Sequence, residues 1–129
     1  MTDAVVAAAW AALANAHAPY SRFRVGAAIE AEDGRVFVGA NVENASYGLT
    51  NCAERVALGA AVAAGARRFR RIVVVTESNP PAAPCGACRQ ALAEFGLDTV
   101  VHSVGRTQVR EWRLGDLLPD AFGPADLGS

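Results

Sequence analysis

Apolar and polar positions change period several times along the chain. From Thr2 to about Asn15 the residues are mostly alanine, with Val5, Val6, Ala9, Trp10 and Leu13 on the bulkier face. Alanine and leucine favour helix, so a helix is predicted here, with Thr2 or Asp3 capping its first turn and Ala18-Pro19-Tyr20 marking its end. Phe23 to Ala31 and Val36 to Val42 then read as strands. Between them, Glu32-Asp33-Gly34 carries the Asp-Gly signal of a hairpin. A polar loop from Asn41 to Asn51 follows, a common setting for binding residues. Cys52 to Ala64 reads as a helix stopped by Gly65. The β-branched run Ile72 to Thr76 suits a strand buried on both faces. After the break at Asn79-Pro80-Pro81, Cys85 to Phe95 reads as a helix stopped by Gly96. Thr99 to Val104 and Val109 to Leu114 are two more strands. Strands separated by helices imply crossovers and parallel pairing, and the opening hairpin adds antiparallel pairing. The expected fold is a three-layer α/β/α domain around a mixed sheet of about five strands, with residues 1–129 forming a single domain.

Composition narrows the function classes. The chain has 129 residues, 52% of them hydrophobic and 19% charged, which excludes a disordered chain. Twelve basic and thirteen acidic residues leave a net charge of -1, which disfavours bulk binding to nucleic acid or anionic membrane. All the basic residues are arginine; the absence of lysine excludes Schiff-base chemistry and a P-loop lysine. The start Met1-Thr2-Asp3 lacks a basic leader region, and Ala4 to Ala14 is too short to span a bilayer. A cytoplasmic protein is expected. Its three cysteines are an odd number, which points to metal or redox chemistry in a reducing compartment and not to a disulfide framework.

The candidate chemistry lies in two short stretches, Cys52-Ala53-Glu54 and Pro84-Cys85-Gly86-Ala87-Cys88. A Cys-x-x-Cys pair places two thiolates within reach of one ion, and Cys52 supplies a third ligand if its helix start faces theirs. Zinc favours such soft ligands, and three protein ligands leave the open position of a catalytic site. Cys52 and Cys85 sit at predicted helix N-termini, where the dipole favours thiolates. Arg55 and Arg89 follow ligands closely and are candidate donors to the sulfurs, with Arg55 expected to contribute to charge balance. Glu54, beside the open position, is suited to moving protons between water and substrate. Three ligands, a non-ligand glutamate and a proline ahead of the cysteine pair form the pattern of zinc nucleobase deaminases.

The chain resembles the small homotetrameric cytidine deaminases. The resemblance rests on Ala18-Pro19-Tyr20-Ser21, Val25-Gly26-Ala27-Ala28, Asn41 to Gly48, Cys52-Ala53-Glu54-Arg55, Pro84 to Gln90 and Phe122-Gly123-Pro124. It implies hydrolysis of cytidine and 2′-deoxycytidine to the uridines and ammonia, in pyrimidine salvage, with Glu54 carrying protons to ring N3 and then to the departing amine. It further implies that Asn41 and Glu43 bind the 3′ hydroxyl and that Phe23 packs on the pyrimidine. The backbones of Ala53 and Cys85, with the Glu54 carboxylate, would meet the base edge. Ala45, Tyr47 and Phe122 would complete sites in neighbouring subunits, making a homotetramer with shared active sites.

Three other readings compete. A deaminase of a nucleoside antibiotic need not carry the whole Asn41 to Gly48 loop, and a nucleic-acid deaminase normally needs a basic surface. A structural zinc module would require a fourth ligand, and His17 and His102 lack ligand-like spacing. The histidines are expected to be structural, and Trp10 and Trp112 to pack in the core or an interface. The run Arg67-Arg68-Phe69-Arg70-Arg71 is expected to be a solvated helix-to-strand connection.

Overall fold

The structure is a computed structural model, and it describes residues 3–128. The eight predicted elements appear in the predicted order. Helix α1 spans Ala4–Leu13, strands β1 and β2 span Val25–Ala31 and Val36–Ala40, and helix α2 spans Ala53–Ala63. Strand β3 (Phe69–Thr76), helix α3 (Gly86–Ala93) and strands β4 (Val100–Val104) and β5 (Val109–Arg113) follow. A short helix α4, Leu114–Leu117, comes directly after β5. Asp3 caps α1 by accepting from the backbone N–H groups of Val5 and Val6, both at 3.0 Å. Thr2, the alternative cap, lies outside the described residues.

The sheet order is β2-β1-β3-β4-β5. Only β3 and β4 pair in parallel, as the α3 crossover requires; the other three pairings are antiparallel. Alternation along β1, β3 and β4 divides the core. Ala27, Ile29, Ile72, Val74 and Val101 face α2 and α3. Ala28, Val73, Val75 and Val104 face α1. The central strands are therefore covered on both sides, which is why Ile72 to Thr76 needs no polar alternation.

Two glycines allow the helices to lie close to the sheet. A Cβ on Gly26 would sit 2.1 Å from the Ala9 carbonyl oxygen of α1. A Cβ on Gly39 would sit 2.4 Å from the Ala53 carbonyl oxygen of α2. The Gly39 approach brings the first turn of α2, next to Cys52 and Glu54, down against β2.

Several boundaries are corrected. The arginine run is not a connection throughout, because β3 begins at Phe69 and takes in Arg70 and Arg71. Phe69 is buried and packs edge-on against Phe95. Arg71 bonds to Asp3 at 2.8 Å and Glu30 at 3.3 Å, so its charge is matched on the sheet. β2 and β5 end earlier than expected, at Ala40 and Arg113. His102 is buried and structural as expected, with Nε2 at 2.6 Å from Glu111 Oε1. Trp10 and Trp112 pack against the two core layers.

Candidate active site and metal centre

Cys52 is the N-cap of α2 and Cys85 the N-cap of α3; neither makes a side-chain capping bond to its helix. Both helices lie on the same face of the sheet, with their N-termini towards each other. Their sulfurs are 3.9 Å apart, and Cys88, one turn into α3, completes a group whose three sulfurs all lie within 4.8 Å of one another. All three cysteines are free. A tetrahedral ion with zinc–sulfur bonds of about 2.3 Å separates its sulfurs by about 3.8 Å. The donor set therefore fits zinc in spacing and in chemistry. Among the described residues no fourth histidine, cysteine or carboxylate atom joins the group, which leaves the open position of a catalytic site.

Electrostatics favour an anionic Cys85 sulfur at the start of α3. Burial opposes ionisation of Cys85, but bonds from the Cys88 backbone N–H and from the Cys88 and Cys52 thiols outweigh it and lower its pKa. Burial raises the pKa of Cys88, and the neighbouring Glu54 carboxylate raises it further. A cation held by the three cysteines would reverse this, since a coordinated thiol is deprotonated. Arg55 donates to the Cys52 sulfur at 3.4 Å, and its bonds to Cys52 and then Cys88 hold its guanidinium firmly charged. The expectation for Arg89 is corrected: its side chain donates instead to the carbonyls of Pro84, at 2.8 Å, and Leu117, at 3.0 Å. It ties α3 to the loop before it and to α4.

Glu54, in the first turn of α2, is 5% exposed. Burial raises its pKa, countered in part by its own backbone N–H, the Cys88 thiol and the Arg55 charge. A buried carboxyl at the edge of a thiolate group is poised to gain and lose a proton.

Cys52, Glu54 and Cys85 open onto a cavity of about 290 Å³, near the lower end of small-ligand sites. Phe23, Asn41, Glu43, Ala53 and Glu54 line it together with Cys52 and Cys85. Asn41 is buried; its Nδ2 donates to the Phe23 carbonyl at 2.8 Å and its Oδ1 accepts from Val25 N–H at 2.9 Å. It thus holds the segment that presents Phe23. The lining also includes Ala82 and Ala83 of the β3–α3 loop. Ala82 is fastened by its N–H to Thr76 Oγ1, at 3.3 Å, and by its carbonyl, which accepts from the Ser103 hydroxyl.

Ala45, Tyr47 and Phe122 do not line the cavity. All three are away from the core: Ala45 is exposed, Tyr47 is 73% exposed and Phe122 is 57% exposed. Sequence reasoning missed Ser21, Thr50 and Thr76 as cavity walls. Ser21 ends the motif Ala18-Pro19-Tyr20-Ser21, but only its contacts in the fold reveal a role.

The comparisons with known proteins agree with this geometry. A family model described as the cytidine and deoxycytidylate deaminase zinc-binding region matches residues 2–104. The cytidine deaminase of Halalkalibacterium halodurans is 51% identical over 115 residues, covering 87% of this chain and 86% of that one. That of Sporosarcina psychrophila is 46% identical over 114 residues, covering 87% and 84%. The crystal structure of cytidine deaminase from Burkholderia pseudomallei superposes with a TM-score of 0.90 at 55% identity, covering 95% of this chain and 100% of that one. The Mycobacterium tuberculosis enzyme superposes with a TM-score of 0.80 at 46% identity, covering 92% and 94%. Three converging cysteine sulfurs, a buried glutamate beside them and a match of this extent lead to one conclusion: the chain belongs to the family of cytidine and deoxycytidylate deaminases with a zinc-binding region.

Proposed function

We propose that this enzyme hydrolyses the 4-amino group of cytidine and 2′-deoxycytidine, releasing ammonia and leaving uridine and 2′-deoxyuridine. The observation that carries the reading is Glu54, buried at the rim of the three-cysteine group and lining the same cavity as Phe23, Asn41 and Glu43. Cys52, Cys85 and Cys88 would hold zinc, which when bound would supply the Lewis acidity that lets water act as a nucleophile near neutral pH.

The chain's own groups do the rest. Glu54 takes the proton of the attacking water and delivers it to ring N3. A second proton then passes through the same carboxylate to the departing amine, so one water enters and one ammonia leaves. Phe23 packs on the pyrimidine, and the backbones of Ala53 and Cys85 meet its edge. Asn41 and Glu43 engage the sugar 3′ hydroxyl, and this remote binding holds C4 in position for attack. No group in this scheme reads the 2′ position, so ribose and deoxyribose substrates react alike. The carboxylate of Glu43 at the 3′ end of the sugar disfavours a phosphate there, which favours free nucleosides over nucleic acid.

The enzyme acts in cytoplasmic pyrimidine salvage, as a homotetramer whose subunits complete one another's sites through Ala45, Tyr47 and Phe122. The exposure of Tyr20, Tyr47, Leu49 and Phe122 supports such contacts. No helix among the described residues is long and apolar enough to cross a membrane. An ultraviolet assay with zinc-loaded enzyme tests the reaction: turnover of cytidine and deoxycytidine at similar kcat/KM is expected, and activity on oligonucleotides alone refutes it. Light scattering is expected to give four times the chain's mass, and a monomer refutes the shared site.

A further inference from the structure

The segment before β1 and the loop after β2 are joined by a compact set of hydrogen bonds centred on Ser21. Glu43 Oε1 accepts from the backbone N–H groups of Tyr20, at 2.9 Å, and Ser21, at 3.0 Å. Glu43 Oε2 accepts from the Ser21 hydroxyl. The same Ser21 oxygen accepts from Phe23 N–H at 3.0 Å. That last bond matters for direction. A serine hydroxyl has one proton and rotates to suit its surroundings. With the Phe23 N–H pointing at the oxygen, the hydroxyl proton is turned away from Phe23 and towards Glu43.

Ser21 therefore touches two of the residues that line the cavity, Glu43 and Phe23. It orients the carboxylate at the sugar end, and through one backbone bond it sets the start of Phe23. Three donors now converge on Glu43: two backbone N–H groups and one hydroxyl. They keep the carboxyl ionised, its pKa held below the ordinary value by the Ser21 hydroxyl first and the Ser21 N–H second. A carboxylate so held offers only acceptor lone pairs, and it meets a ligand that brings a hydrogen.

We infer that Ser21 is a positioning residue for nucleoside specificity: it fixes Glu43 as an ionised, acceptor-only group that selects a sugar bearing a free 3′ hydroxyl. The inference rests on the reading of Glu43 as a sugar-binding group, and the test separates the two. Ser21 is exposed and outside the core, so its replacement leaves the fold intact, which thermal unfolding verifies.

The measurement compares cytidine with 3′-deoxycytidine as substrates for the zinc-loaded wild type, Ser21→Ala and Ser21→Thr. Calorimetric binding of uridine and 3′-deoxyuridine to the same three proteins provides a readout independent of turnover. Loss of one charge-assisted bond predicts a rise in KM for cytidine and a loss of uridine affinity of about tenfold in Ser21→Ala, with kcat within about twofold. Ser21→Thr, which keeps the hydroxyl, is expected to restore wild-type values. For 3′-deoxycytidine and 3′-deoxyuridine, Ser21→Ala is expected to match the wild type, because the hydroxyl that Glu43 reads is already gone. An equal loss on both substrates shows that Ser21 acts only through Phe23 and overturns the inference, as does no loss on either. If the wild type itself does not distinguish cytidine from 3′-deoxycytidine, the reading of Glu43 fails, whatever Ser21 does.

Discussion

The N-terminus of α1 and those of α2 and α3 are finished in opposite ways. On one face of the sheet Asp3 caps α1, satisfies two backbone N–H groups and pairs with Arg71. That helix end is electrically complete. On the other face Cys52 and Cys85 occupy the N-cap positions without capping their helices. The positive ends of α2 and α3 are thereby left directed at three sulfurs. Helix ends that side chains commonly cap are here left uncapped beside the three-cysteine group. The two glycine approaches repeat the division: Gly26 seats α1 for packing, while Gly39 seats the turn that carries Glu54.

Substitutions can break this division or sharpen it. The largest effect is expected for Glu54→Gln. Turnover should fall about 10³-fold while zinc content stays unchanged, since the amide keeps the volume and loses the proton transfer. Steady-state kinetics with metal analysis checks both, and retained activity removes Glu54 from the reaction. A smaller effect is expected at Arg55. Arg55→Gln should lower zinc affinity about tenfold by removing a charge-assisted donor to Cys52, as read by competition with a chelator. Unchanged affinity and turnover would mean that the arginine plays no part in the charge balance.

The smallest functional effect belongs to the other face. Asp3→Ala should cost about 1 kcal/mol of stability through the lost cap and leave kcat and zinc affinity as they were. Denaturant unfolding and a turnover assay measure the two. The Arg71 side chain, then the Val6 N–H, lower the pKa of Asp3 in the folded state. Its contribution is therefore present above the unfolded value of about 3.9 and is lost as pH falls through the lower folded value. The stability gap between wild type and Asp3→Ala should narrow over that range. Loss of zinc from Asp3→Ala would show that the two faces are not independent.

Much of the molecule was legible in one dimension. The order of eight elements followed from period and punctuation, because alanine-rich helix, β-branched strand and glycine stops are local signals. The three-cysteine group was legible as a candidate metal site because its chemistry is rare: three cysteines, two of them closely spaced and a glutamate two residues after the third. The start of β3 was not legible. Four arginines around Phe69 look like solvated coil, and the partners that neutralise Arg71 lie 41 and 68 residues away in the chain. Arg89 misled for the same reason, since adjacency to Cys88 says nothing about the Pro84 and Leu117 carbonyls that its side chain reaches.

By itself, then, the sequence determined the kinds of element, the donor set and the class of chemistry, all of which depend on residue type and short spacing. Tertiary structure alone decided which groups face each other. The sulfurs of Cys52 and Cys85 stand 3.9 Å apart across 33 residues because α2 and α3 share one face of the sheet with their N-termini together. Glu43 is bound by Ser21 across 22 residues because the hairpin brings the end of β2 beside the start of β1. Hydrogen bonds and metal ligation act over a few ångströms of space and are indifferent to distance along the chain, so only the folded arrangement can specify them.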